Sequence, residues 1–245
     1  FLGLLVYPLL RLALPGLADR GYPLARIAGM LLFSYLAWLA GSFHIPVTRV
    51  TLSGVLLLMG LLCVFLSYRQ RGALHREWKQ RKKYFLFVEG LALVFFVAFL
   101  LVRLGNPDLW HPWYGGEKPM DFAYFNAVLK STSFPPYDPW FAGGYINYYY
   151  YGFVLVGTPV KFLGIVPSIA YNFLLPTLFA LVAVNAFSIG WNLIAKDEGE
   201  RIKDEDGSVQ DSSFPLHSSS LISGLFASFL TLIIGNLGTI QLVYN

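Results

Sequence analysis

The sequence predicts an all-α, polytopic bundle of about six or seven membrane spans, and three observations predict it. The 245 residues are 56% hydrophobic and 13% charged, where a soluble domain carries about 25% charge. Mean hydropathy is +0.56. Apolar runs of the roughly 20 residues that a spanning helix requires recur along the chain, and the cations gather between runs instead of spreading evenly. This composition excludes a free cytosolic enzyme, a disordered chain and a soluble nucleic-acid binder, so no nucleic-acid partner is expected and membrane lipid is. The net charge of +4 reads as a topology signal. The lone Cys63 lies in an apolar run, which removes any intrachain disulfide or cysteine cluster.

The expected spans are residues 1–17, 24–43, 50–68, 84–104, 148–165, 168–195 and 218–236. Pro159, Pro167 and Pro176 fall where they can kink or end helices. The run 1–17 has no charged lead and does not read as a signal peptide. With no initiator Met and an abrupt apolar end, the chain reads as part of a longer polypeptide. Between residues 69 and 83 lie Arg69, Arg71, Arg76, Lys79, Arg81, Lys82 and Lys83 against the single acid Glu77. This stretch is therefore expected in the cytoplasm of a prokaryotic cell. Counting spans outward puts the segment 105–147 outside the plasma membrane, together with the acidic stretch 196–213.

The segment 105–147 is crowded with Trp, Tyr and Phe, and an ordered loop of that length is usually functional. Pro119 suits a first helical turn, and Met120 to Lys130 is helix-forming and apolar nearly all round, which predicts a helix at the membrane interface. Pro135-Pro136, Asp138-Pro139 and Gly143-Gly144 then turn the chain back. Asp121 falls in the first turn, where the helix dipole favours a carboxylate. It is either a helix-start acid or a carboxylate able to take a proton from a hydroxyl or to hold a divalent cation. Glu117 lies four residues earlier, and the spacing alone does not pair the two. Asp138 reads as turn chemistry. Trp140, Tyr145 and Tyr148 to Tyr151 are either an interfacial belt or ring and hydroxyl contacts for a polar ligand such as a sugar. His111 reads as a packed loop residue, since no second His or Cys lies near it.

Glu89 and Arg103 sit near the ends of a span, where snorkelling makes structural roles the expectation. Asn172, Asn185 and Asn192 recur along one span as candidate helix–helix contacts. No P-loop, GxSxG, HExxH or dinucleotide fingerprint is present.

The run Asn106-Pro107-Asp108, Lys118-Pro119-Met120-Asp121-Phe122, Phe134-Pro135-Pro136-Tyr137-Asp138-Pro139-Trp140-Phe141-Ala142-Gly143-Gly144 and Asn147-Tyr148-Tyr149-Tyr150 resembles a bacterial and archaeal membrane family, the YYY-motif or DUF2298 proteins. That family is similar to the GT-C superfamily of membrane glycosyltransferases. The resemblance implies a GT-C-like core over 84–245 behind an amino-terminal unit of helices and basic linker over 1–83. It implies transfer of a sugar from a polyprenyl-phosphate donor to an acceptor outside the membrane. Asp121 is the best positional match for the superfamily's loop acid, followed by Glu117 and Asp138. Lys118, Asp138, Trp140, Tyr145, Asn147, Tyr149 and Tyr150 are the candidate substrate contacts. The acidic pair that marks metal-dependent members is not evident, so a divalent cation stays a candidate cofactor. The alternative is a non-catalytic subunit of a larger membrane complex.

Overall fold

A long apolar helix resists being broken, and the four strongest apolar runs each form one helix. A computed structural model describes residues 1–109, 116–206 and 218–234, with the side chains of 196–206 excepted. Among the described residues the elements are α1 (Leu2–Ala13), α2 (Ala25–Ser42), α3 (Arg49–Arg69), α4 (Arg71–Gly105), α5 (Lys118–Lys130), α6 (Tyr150–Leu163), α7 (Pro167–Asp206) and α8 (Ser218–Leu232). Thr48 caps α3, its side chain accepting the Thr51 N–H. Gly164 ends α6 in the left-handed region, where a side chain would be strained and would also collide with the Arg49 guanidinium. Pro159 and Pro176 lie inside continuous helices rather than ending them.

α4 and α7 run antiparallel along a ladder of rings. Tyr84 meets Trp191 at 5.0 Å, Phe87 meets Phe187 at 5.5 Å and Phe99 meets Phe179 at 4.6 Å. α8 returns along α7 on small residues: a Cβ added at Gly190 would strike the Ser223 carbonyl and Ala227. Ser228 donates to the Ala183 carbonyl at 2.8 Å. Close backbone approach through small residues is how apolar helices associate where lipid competes for large side chains.

Polar contacts define two ends of the bundle. At one, Arg11 and Tyr7 bond Glu77 at 2.9 and 3.1 Å, and Gln70 donates to the Pro8 carbonyl at 3.1 Å. There Asp19, fully buried, accepts from Ser188 at 2.5 Å, from the Gly21 N–H at 2.8 Å and from Tyr84 at 3.3 Å. Asn192 accepts the Asp19 N–H at 3.2 Å. Those bonds pin the 14–24 turn to α7. At the opposite end, the Phe134 and Val47 N–H groups donate to the Gly41 and Thr132 carbonyls at 3.3 and 2.8 Å, and Arg103 bonds Asn172. Glu89 accepts from Tyr22 at 2.5 Å and pairs with Arg26, so it ties α2 to α4.

Several expectations change. Among the described residues four helices are long and apolar enough to cross a membrane: α2, α3, α4 and the Pro167–Ala195 part of α7. The expected span 148–165 is the 14-residue α6, whose two ends lie at the same end of the bundle. Tyr150 accepts from Trp38 and stacks on Phe134, while Lys161 reaches the Ser131 carbonyl and its own carbonyl meets Arg49. The expected first span likewise shortens to the 12 residues of α1. With α6 no longer crossing, α7 runs from Asn172 beside Arg103 to Asn192 beside Asp19. The stretch 196–206 therefore leaves at the same end as the basic cluster, correcting its expected position on the far side. The basic cluster itself is helical: α4 begins at Arg71, with only Gln70 between it and the end of α3, and passes residues 83 and 84 without a break.

Candidate functional site

α5 forms where the sequence places it, with proline in its first turn, Asp121 near its amino end and Lys130 in its last turn. Its buried side chains, Phe125 and Val128, seat it against α6 and the start of α7. Phe125 packs with Val156, Val160 and Ala170. The Tyr171 ring meets Phe122 at 5.6 Å and Phe125 at 5.9 Å, both edge-on. Tyr171 lies one residue before Asn172, the partner of Arg103, so α5 sits at the end opposite the basic cluster.

This packing turns two carboxylates into one cavity. Glu117 is the N-cap residue of α5, and its carbonyl accepts the Asp121 N–H at 2.9 Å, which places both acids on one helix face. With Tyr149, Gly152, Phe153, Tyr171 and three leucines of α7 (Leu174, Leu175 and Leu178) they line a space of about 470 Å³. Burial, reinforced by the neighbouring Glu117 charge, holds the Asp121 carboxyl above its usual range. A carboxylate whose pKa is raised in this way is a better proton acceptor when ionised. Two carboxylates on one wall are also a minimal donor set for a divalent cation that keeps most of its water. Among the described residues no group of three or more His, Cys, Asp or Glu side chains comes together.

Tyr149 is the strained member. Its φ is +66°, in the left-handed region, and it forms the N-cap of α6. For a bulky side chain that conformation costs roughly 1–3 kcal/mol and marks positions where the surroundings impose a direction. Its ring lies 4.1 Å from that of Tyr148. The bond to Tyr148, slight desolvation and the fields of Glu117 and Asp121 raise its hydroxyl pKa.

The remaining predicted residues fall elsewhere. Tyr150 is half-buried, and its hydroxyl accepts the Trp38 indole N–H at 2.8 Å. Asp138 builds a turn, accepting the Trp140 N–H at 2.8 Å and donating its own N–H to the Gly144 carbonyl at 3.0 Å. Tyr145 stacks on Tyr137 at 4.7 Å, joined to it by the bridge between their strand-like segments. Trp140, Tyr145 and Asn147 are exposed on this loop, and Lys118 is half-buried at the start of α5; none of the four lines the cavity. His111 lies outside the described residues.

The partners of Arg103, whose structural role is the expectation, and one cavity have no signature in the sequence. Arg103, only 8% exposed, donates to Asn172 Oδ1 at 2.6 Å and to the carbonyls of Asn106, Pro107 and Asp108 at 2.8, 3.4 and 3.0 Å. One guanidinium fork thus fixes the entry of the loop onto α7. A second, apolar cavity of about 440 Å³ adjoins the carboxylate cavity, with Val156 and Leu174 lining both. It follows α7 past Phe173, Thr177 and Leu181 toward Met30 and Arg26, its one charged lining residue. No local pattern signals it, because its walls come from helices far apart in sequence.

No curated protein and no solved structure matches the chain. Residues 32–245 do match one family, described as uncharacterized membrane protein (DUF2298). The stretch they cover holds both acids, the proline and glycine turns and the tyrosine run, and the chain belongs to that family.

Proposed function

We propose that the chain is the acid-bearing part of an integral-membrane glycosyltransferase that takes a sugar from a polyprenyl-phosphate donor and passes it to an acceptor outside a prokaryotic plasma membrane. One observation carries the reading: the Asp121 cavity shares a wall with an apolar groove of about 440 Å³, whose lining suits part of a lipid chain. A donor lying in that groove would bring its phosphate and sugar to the carboxylates. Asp121 takes the proton of the acceptor hydroxyl as the acceptor oxygen bonds to the anomeric carbon. The bond from that carbon to the phosphate oxygen breaks, its electron pair leaves with the lipid phosphate, and the configuration inverts. Tyr149 and Tyr171 contact the sugar from the cavity wall. Lys118, Trp140, Tyr145 and Asn147 serve the phosphate or the acceptor at the rim. If a divalent cation takes part, Glu117 and Asp121 hold it. The basic end faces the cytoplasm in this reading.

The base must be ionised, so transfer falls as pH drops through the raised Asp121 value. Glu117→Gln removes the neighbouring like charge and is expected to move that acid limb to lower pH, measured as transfer against pH in donor-containing vesicles. An acid limb that stays in place removes Asp121 from the base role.

The exposed rings Tyr137, Trp140, Phe141 and Tyr148 favour a second reading, an accessory subunit whose aromatic loop docks on a partner. A stoichiometric partner that survives mild detergent and covers Asp121 distinguishes it from the transferase.

A further inference from the structure

The first turns of α4 carry a charge pattern that the proposed transfer leaves unused. The helix has 35 residues, about 52 Å at 1.5 Å per residue, against a hydrocarbon core of about 30 Å. Its basic start therefore stands at the membrane edge, at the end of the bundle opposite Asp121. The positions Glu77, Arg81, Tyr84 and Val88 share one face. That face is engaged: Glu77 with Arg11, Arg81 with the Ala18 carbonyl, Tyr84 with Asp19, and Val88 in the core.

Arg71, Arg76, Lys79, Lys82 and Lys83 fall on the remaining face and are exposed. Among the described residues none of the five pairs with a carboxylate, the ion pairs being Arg11–Glu77 and Arg26–Glu89. Five like charges on a rigid helix repel one another unless counter-charge is supplied from outside. Trp78 is 51% exposed and Tyr68 67% exposed beside them, and the Arg71 guanidinium lies 4.9 Å above the Tyr68 ring. Such amphipathic rings settle at headgroup depth.

We propose that this face binds the headgroups of anionic phospholipids in the leaflet at the basic end. The phosphates offset the repulsion and fix the tilt of α4, and so the register of its far end, where Arg103 holds the loop. The site is independent of the transferase reading: it lies at the other end of the molecule and holds whichever way the bundle is oriented.

The test is lipid retention by the full chain in phosphatidylcholine nanodiscs that contain a minority of phosphatidylglycerol, with bound lipids counted by native mass spectrometry. The wild type is expected to retain phosphatidylglycerol preferentially at low salt and to lose the preference at about 1 M salt, where screening is nearly complete. Arg76→Gln, Lys79→Gln, Lys82→Gln and Lys83→Gln combined should abolish most of it, at roughly fivefold in affinity per cation. All four side chains are exposed, so that variant should melt no lower than the wild type in phosphatidylcholine alone. A wild type without preference, or one indifferent to salt, overturns the proposal whether or not the variant folds. So does an unchanged preference in a folded variant, or displacement of the retained lipid by millimolar glycerol phosphate, which would mark a soluble-anion site.

Discussion

Asp121→Asn is expected to lower sugar transfer by about 10²–10⁴-fold, the range a positioned general base contributes, while leaving the melting temperature near that of the wild type. Asparagine keeps the shape of the carboxylate and cannot take the acceptor proton. Among the described residues no hydrogen bond to the Asp121 carboxylate holds the fold together, and losing its charge relieves the repulsion from Glu117. Catalysis and folding therefore separate at this position. Transfer in donor-containing vesicles, beside a thermal melt of the same preparation, checks both halves. Full transfer by the variant would show that another group accepts the proton.

Arg103→Met should cost about 3 kcal/mol of stability, because bonds from a charged donor contribute about 1.5–3 kcal/mol each and methionine offers the four acceptors no donor. The guanidinium is almost wholly buried and serves four acceptors, so methionine restores the volume and none of the bonds. Arg103→Lys should recover part of the loss, since an ammonium keeps the charge without the planar fork. Transfer should fall with stability, because residues 106–108 lead into the loop that carries the acids. Unfolding of both variants in mixed micelles measures the effect. A methionine variant as stable as the wild type would mean that water already satisfies those carbonyls.

The contrast between Asp121 and Arg103 shows what could be read in the sequence. α2, α3 and α5 were legible to within a residue or two, because length, hydropathy and a helix-start proline are local properties. The cavity acids were legible as candidates for the same reason. Their pairing was not: only the packing of Phe125 against Val156 and Ala170 turns both toward one space. α6 misled because Tyr148 to Leu163 is apolar enough to span. Tertiary contacts at Trp38, Ser131 and Arg49 hold both its ends on one side instead, and that reversal moved 196–206 to the opposite end. Arg103 looked like a snorkelling cation because its acceptors, three carbonyls and Asn172, have no signature along the chain. Tyr150 looked like a ligand contact, and its hydroxyl accepts the Trp38 indole N–H, a partner with no signature along the chain.

Photo-crosslinking from Leu178, on the α7 wall of the carboxylate cavity, asks most directly whether a lipid-borne donor reaches the two acids. With a photoreactive residue at that position and a radiolabelled polyprenyl-phosphate sugar in the vesicles, the label should transfer to the protein and be competed by unlabelled donor. Crosslinks to bulk phospholipid alone, unchanged by any amount of donor, would contradict a shared lipid and carboxylate site.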